Sequence, residues 1–312
     1  MPRRQSLNGK SILITGAARG IGEEVARRVA AKGARVALVG LEPDRLERIA
    51  TELGPQHIFR ECDVTDNESV VAAVDAAVSA FGGLDIVLAN AGIAANGTVA
   101  ITPVDVLLRV NEVNLNGAIR TVSAALPHIT ARKGYVMITA SAASFTGLPG
   151  MSTYCSAKAG IEHFANILRL EVAHKGVDVG SIHPTWIDTD LVRDQKADSQ
   201  LFTETLKKLP GPMGAYTSVE ECATMIVDGM ERRRRKVYVP RGVAWIAAFK
   251  AFLNSAVGDW VVRHEAKKQV PLLEAEVARN GRFFGASSVG MGAAPAAPAA
   301  AVEPGAAEAT SR

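Results

Sequence analysis

One segment limits the possible folds more than any other. In Ser11–Gly33 a five-residue apolar run, SILIT, meets a glycine turn and then a helical stretch that stops at Gly33. A short apolar run without polar alternation is the pattern of a strand buried on both faces. Within the turn, Gly16, Gly20 and Gly22 stand in a Gly-x-x-x-Gly-x-Gly spacing. Glycine there permits positive φ and lets the backbone approach an anion closely. The helix that follows points its free N–H groups and positive dipole end at that position, which suits a pyrophosphate. A tight turn without a ligand is the competing reading; the strand–turn–helix context favours phosphate binding.

The same alternation continues along the chain. Strands are expected at Ala34–Val39, His57–Glu61, Leu84–Ala89, Tyr135–Ala140, Val177–His183 and Lys236–Val239. Helices are expected near Asp44–Leu53, Asn67–Phe81, Pro103–Ala131, Thr153–His174 and Ser218–Arg232, with a looser stretch over Pro184–Tyr216. Repeated β-α units with short connections predict an α/β fold with a doubly wound parallel sheet of about seven strands and right-handed crossovers. The chain then divides into residues 1–241, carrying dinucleotide binding and catalysis, a helical C-terminal extension over 242–285, and an Ala/Pro-rich tail over 286–312. The tail has almost no large apolar side chains, so disorder is expected there.

Composition excludes several classes. A net charge of +3 is too small to argue for nucleic acid. Cys62, Cys155 and Cys222 lie far apart without C-x-x-C spacing, so neither a metal site nor a disulfide framework is expected. The opening MPRRQSLNGK lacks an apolar stretch, and no clean transmembrane run follows, so a cytoplasmic protein is expected.

Candidate ligand contacts fall at the strand ends, where doubly wound sheets bind ligands. They include Gly20-Ile21-Gly22 after the first strand and Asn90-Ala91-Gly92 after the fourth. In Asp63-Val64, the carboxylate is placed to accept from an adenine amino group; as a helix cap, Asp66 is the better candidate.

Tyr154-Cys155-Ser156-Ala157-Lys158 carries the sharpest chemistry. The i,i+4 spacing sets phenol and ammonium on one helix face. A free phenol, with a pKa of about 10, is a poor general base near neutrality. A neighbouring ammonium and a positively charged nicotinamide would each stabilise the phenolate. Tyr154 would then exchange a proton with a carbonyl or alcohol oxygen. Ser141 ends the fifth strand and is placed to hold that oxygen; Asn114, a poor helix former inside a helical stretch, is placed to hold a water relaying protons to Lys158. Singly, each has a structural explanation, a solvated face or a satisfied core amide.

In combination, TGAARGIG, Asn90-Ala91-Gly92, Asn114, Ser141 and Tyr154-x-x-x-Lys158 resemble the short-chain dehydrogenase/reductase family over about residues 8–240. The resemblance implies a Rossmann-type sheet, an Asn–Ser–Tyr–Lys tetrad, a nicotinamide cofactor, and a homodimer or homotetramer built on helix pairs. It also implies that Thr189 hydrogen bonds the nicotinamide carboxamide, with Pro184 and Ile187 beside it. Pro184-Thr185 stands where the family commonly has Pro-Gly.

Cofactor choice turns on the end of the second strand. Gly40 takes the place expected of an acidic residue that binds a ribose 2′-OH, and Arg19 is placed to meet a 2′-phosphate. Both favour NADP(H). Leu41, where an arginine would strengthen that reading, and Glu42, which is able to swing in, keep NAD(H) open.

Apolar residues in Asp188–Tyr216, namely Leu191, Leu201, Phe202, Leu206, Leu209 and Met213, suggest a lid over a bulky hydrophobic alcohol or ketone of steroid, retinoid or long-chain type. The basic run Arg232–Lys236 and the apolar patch Val243–Val262 allow a peripheral membrane contact, although packing on the protein's own body is favoured. A 3-oxoacyl thioester reductase and a non-catalytic dinucleotide sensor or scaffold are the alternatives.

Overall fold

The first third of the chain alternates strictly between strand and helix: β1 (Ser11–Thr15), α1 (Gly20–Ala31), β2 (Arg35–Gly40), α2 (Pro43–Leu53), β3 (Ile58–Glu61), α3 (Asn67–Phe81) and β4 (Ile86–Ala89). The computed structural model of the chain describes residues 4–208, 214 and 216–289. The middle continues with α4 (Val104–Asn111), a π-helical turn (Glu112–Asn116), α5 (Gly117–Ala131), β5 (Tyr135–Thr139), α6 (Ser152–Glu171) and β6 (Asp178–Pro184). Then follow β7 (Trp186–Ile187), α7 (Asp190–Asp198), α8 (Gln200–Lys208), β8 (Tyr216–Thr217), α9 (Val219–Glu231) and β9 (Lys236–Val239). The C-terminal segment forms α10 (Val243–Ala248), α11 (Lys250–Leu253), α12 (Ala256–Asn280) and α13 (Ala286–Val289).

Seven strands make one parallel sheet in the order β3-β2-β1-β4-β5-β6-β9. Alternate residues of β1 supply opposite faces, which is why the strand is apolar throughout. Leu13 packs in a core with α3, α5 and α6, whereas Ile12 and Ile14 pack with α1, α2 and α9. Strand order reverses between β1 and β4, and a crevice opens at that switch point. Asp66 caps α3 by accepting from the Glu68 N–H at 3.0 Å, as the sequence suggested.

The structure departs from the sequence reading in three places. The single helix expected over Pro103–Ala131 is broken by the π turn, which widens the backbone around Asn114. The looser stretch over Pro184–Tyr216 contains α7 and α8, held at its base by a two-residue parallel pairing of β7 with β8. Their few apolar side chains spread over polar sequence, and α8 packs on α7 and on α12, far along the chain. The disorder expected from Ala286 onward meets α13 first, with Ser288 buried. Residues 290–312 lie outside the described residues, as do Leu209 and Met213 of the expected lid.

The C-terminal segment packs on the body at both ends. Val243 and Ile246 of α10 join Ala142 and Phe145. Val277, Phe283 and Phe284 join the core cluster that holds α3, α5 and α6.

Candidate active site

The crevice at the switch point encloses a cavity of about 240 Å³. Its floor is the glycine turn. Gly16 and Gly20 take φ of +65° and +55°, in the left-handed region that glycine enters at little cost. A Cβ on Gly22 would sit 2.2 Å from the Gly16 carbonyl oxygen, so this glycine serves the tight packing of the turn. Gly22 alone among the candidate cofactor residues stays out of the cavity wall. Arg19, Ile21, Gly40, Leu41, Asp63, Val64, Ala91, Gly92, Pro184, Ile187 and Thr189 all line it, together with Gly16, Gly20 and Asn90.

Two of these candidates have further duties. The Asn90 amide donates to the Thr15 carbonyl at 3.2 Å and accepts from the Thr139 hydroxyl at 3.2 Å, bracing β4 against β1 and β5. Asp63 accepts from the Thr65 N–H at 2.9 Å and from its hydroxyl at 2.8 Å. Burial pulls the Asp63 pKa upward, but those bonds and the Arg109 charge outweigh it and hold the carboxyl below its ordinary range.

Arg19 does not stand free at the end of β2. Its guanidinium grips Glu42 with two nitrogens, one at 2.8 Å, and lies 3.4 Å from Asp190 at the start of α7. Glu42 itself lines the cavity.

The four candidate catalytic residues converge on the other half of the cleft. Tyr154 and Lys158 lie one turn apart on α6. The Lys158 ammonium sits 5.7 Å from the centre of the Tyr154 ring and donates to the Thr139 carbonyl at 2.9 Å. Burial pushes the Tyr154 phenol up to about 12, while a hydrogen bond with Ser141 pulls the other way. Burial pushes Lys158 down to about 8. Both shifts are desolvation effects, since a buried site disfavours either charge. Asn114 donates to the carbonyls of Ile93 and Val110, each at 2.8 Å. Its Oδ1 is buried with no partner among the described residues. A Cβ added at Gly92 would meet that oxygen at 2.6 Å and the Lys158 ammonium nitrogen at 3.5 Å, so the two polar atoms flank one small space.

Sequence reasoning missed several members of the site. His183 is fully buried on β6; its Nδ1 lies 3.3 Å from the Ser141 carbonyl oxygen and its Nε2 2.9 Å from the Ser181 hydroxyl. A carbonyl only accepts, so Nδ1 carries the proton and the neutral ring steadies Ser141. Burial, reinforced by Lys236, lowers the His183 pKa to about 4, which keeps it neutral. A histidine inside a strand read as buried on both faces was the available signal. Gln195 of α7 is also buried in the cavity wall, its Nε2 without a partner among the described residues. Ile246 of α10 and Ser287 and Ser288 of α13 complete the wall, contributions that only the tertiary fold brings near.

The basic run Arg232–Lys236 proves to be occupied. Arg232 and Arg234 pair with Asp228, Arg233 with Asp178, and Lys236 with the buried Glu162. Arg235 reaches Asn166 at 3.4 Å.

The family model described as short chain dehydrogenase matches residues 10–200. The chain belongs to the short-chain dehydrogenase/reductase family. It is 37% identical over 254 residues to (-)-trans-carveol dehydrogenase of Rhodococcus erythropolis, covering 71% of this chain and 92% of that protein. It is 30% identical over 270 residues to an 11-beta-hydroxysteroid dehydrogenase of Pinus massoniana, covering 83% and 74% respectively. The crystal structure of 3-ketoacyl-(acyl-carrier-protein) reductase from Brucella melitensis, complexed with NADH, superposes with a TM-score of 0.67 at 26% identity, covering 75% of this chain and 98% of that one. This short-chain dehydrogenase/reductase is therefore an NAD(P)-dependent oxidoreductase acting on CH–OH groups and the corresponding carbonyls.

The residues present suit a nicotinamide dinucleotide. A side chain at Gly16, which lines the cleft, would crowd the cradle: a Cβ there would meet the Ala91 Cα at 2.9 Å. The turn thus keeps the N-terminus of α1 open to a pyrophosphate.

Proposed function

We propose that this enzyme interconverts a bulky apolar alcohol and its ketone, with Tyr154 as general acid and base. The carrying observation is the convergence of Asn114, Ser141, Tyr154 and Lys158 on one cleft wall, with Lys158 one helical turn behind Tyr154. When bound, the nicotinamide supplies the hydride acceptor for oxidation or the donor for reduction. The protein's own groups handle the oxygen and its proton. The Ser141 hydroxyl holds the substrate oxygen beside the phenol. Tyr154 removes the hydroxyl proton as the alcohol is oxidised and returns it in the reverse direction. Burial alone makes Tyr154 too weak an acid, so the Lys158 ammonium and the positive ring of an oxidised cofactor must stabilise the phenolate. A water on Asn114 Oδ1 would connect Lys158 to solvent and satisfy the unpartnered oxygen.

The substrate half of the cleft supports an apolar compound. Ile93, Leu148, Met151, Trp186, Leu191 and Ile246 line it. The named substrates of the carveol and hydroxysteroid dehydrogenases point to the same class. An acidic carrier has less support, because the basic run that would meet it is paired within the chain.

The same cleft bears on the cofactor. Gly40 and Arg19 favoured NADP(H) in the sequence. The grip of Glu42 on Arg19 neutralises the cation and leaves a carboxylate facing the ribose end of the cleft, which favours NAD(H). Two surfaces support assembly. Exposed Val104 and Leu108 on α4 and Ile167 and Leu170 on α6 favour a homo-oligomer built on these helices. Trp245 and Trp260, 71% and 73% exposed, with Phe249, Phe252 and Val257, favour peripheral contact with a lipid surface. No helix among the described residues is long and apolar enough to cross a membrane.

The test is direct. Purified protein with NAD⁺ or NADP⁺ and a panel of terpenoid, alicyclic and steroidal alcohols should reduce the cofactor, followed by the absorbance of the reduced ring. Cofactor binding with no turnover across that panel would instead identify a sensor.

A further inference from the structure

A second cavity, of about 140 Å³, lies between the lid helix α8 and the C-terminal helix α12. Leu148, Met151 and Trp186 belong to its wall and to the wall of the catalytic cleft, so the two spaces adjoin across these three side chains. On the far side the wall is Phe202 and Leu206 of α8 with Leu273 of α12. Trp186 meets Phe202 edge to face at 5.0 Å between ring centres, which fixes the aromatic corner of the wall that the second cavity shares with the cleft.

The C-terminal segment is fastened to both sides of this cavity. Glu276 accepts from the Gln200 N–H at 2.9 Å and from the Ser199 hydroxyl, at the α7–α8 corner. Asn280 donates to the Asp198 carbonyl at 2.6 Å, and Arg282 pairs with the Asp198 carboxylate. Across the cavity, Glu274 accepts from the Thr98 hydroxyl. Gly150, at φ +83°, lets Leu273 approach so closely that a Cβ there would stand 2.4 Å from the leucine Cδ2. These bonds tie up Asp198, Ser199, Glu276, Asn280 and Arg282 of the wall, and its apolar part is left to side chains such as Phe202, Leu206 and Leu273. An apolar cavity that stays empty forfeits the contacts its lining would make. One of about 150 Å³ lined by apolar side chains is large enough to hold a six-membered carbon ring.

We infer that this cavity is a subsite for the distal end of the substrate, taking a saturated ring or chain of about six carbons that extends from the reacting carbinol. The assignment rests on the apolar-alcohol reading above. It makes α12 a determinant of substrate length: the C-terminal extension closes the subsite, and Leu273 sets its depth.

The experiment uses the full-length enzyme with its cofactor, comparing cyclohexanol with 4-pentylcyclohexanol. In Leu273→Trp the added ring fills the subsite. Its kcat/KM for the long alcohol should fall about tenfold or more, mostly through KM, since lost burial of several methylenes costs at least that much. Its kcat/KM for cyclohexanol should stay within about twofold, because that ring alone reaches no further than the cleft. Leu201→Trp fills the subsite from the opposite wall and should give the same split if the first variant folds poorly. Leu273→Ala should keep the long alcohol as a substrate. An equal effect on both alcohols, or none, in the Trp variants would overturn the subsite. Binding is read separately, by the thermal shift that pentylcyclohexane produces in the cofactor complex. A shift in the wild type that disappears in Leu273→Trp supports the subsite even if neither alcohol is turned over, in which case the apolar-alcohol reading fails alone. A shift that persists in Leu273→Trp and Leu201→Trp, or no shift in the wild type, overturns the subsite itself.

Discussion

Arg19 and Glu42 form a two-pronged ion pair across the mouth of the dinucleotide cleft, with the Arg19 Nε donating to Glu42 Oε1 at 2.8 Å. The pair joins the glycine turn to the N-terminus of α2, and Asp190 adds a contact from α7. On the NAD(H) reading proposed above, an arginine held this way is not available to a 2′-phosphate.

Glu42→Gln removes the two-pronged partner and leaves Arg19 with only the longer Asp190 contact to hold it from the ribose. The ratio of kcat/KM for NADP(H) over NAD(H) should rise by about tenfold or more, the scale of one added charge-assisted hydrogen bond. Steady-state kinetics with both cofactors checks this. An unchanged ratio would show that the pair plays no part in selection.

The four catalytic candidates and the phosphate turn were legible in the sequence because their signals are local. Tyr154 and Lys158 are neighbours by helical geometry, and Gly16, Gly20 and Gly22 belong to one turn. The seven parallel strands were legible for a related reason, since double burial leaves short unbroken apolar runs such as Ser11–Thr15. What escaped depends on pairings distant in sequence. Glu42 reads as a surface acid until Arg19 is seen against it. The basic run Arg232–Lys236 reads as a free patch until Asp178, Glu162 and Asp228 are seen to pair with four of its five cations. The π turn at Asn114 leaves no periodic mark, because it adds only one residue to one turn. Ser287 and Ser288 enter the cleft wall because the extension folds back over α7, where the Ser287 N–H donates to Asp194.

Lys158 carries a stability cost that its proposed catalytic role would explain. Its pKa falls from 10.5 to about 8 on burial, so the folded protein binds fewer protons there than the unfolded chain does. The cost is therefore fully present below pH 8 and fades as pH rises towards 10.5. Lys158→Met should stabilise the cofactor-free protein at pH 7 by about 2 kcal/mol, part of the gain being lost with the bond to Thr139. Thermal unfolding at pH 7 and pH 10 checks it. The gain should shrink at the higher pH while turnover is abolished at both. A destabilised variant at pH 7 would contradict this account of the buried ammonium.

The exposed aromatic side chains of α10–α12 supply a test of surface association. Sedimentation with anionic phospholipid vesicles should pull down the wild type. The double variant Trp245→Ser, Trp260→Ser should bind about tenfold more weakly or worse, since each buried indole contributes on the order of a kilocalorie or more. Turnover of cyclohexanol should be unchanged, as neither tryptophan lines the cleft. Equal binding by both proteins would direct attention to a protein partner for this face.

The role of Tyr154 is tested most directly by Tyr154→Phe, assayed for turnover and for cofactor binding in parallel. The variant should lose at least about a hundredfold in kcat, the scale of general acid–base catalysis, while its affinity for the dinucleotide stays within about threefold. Turnover close to wild type, at any pH between 6 and 10, would contradict the assignment of the phenol as the group that moves the proton.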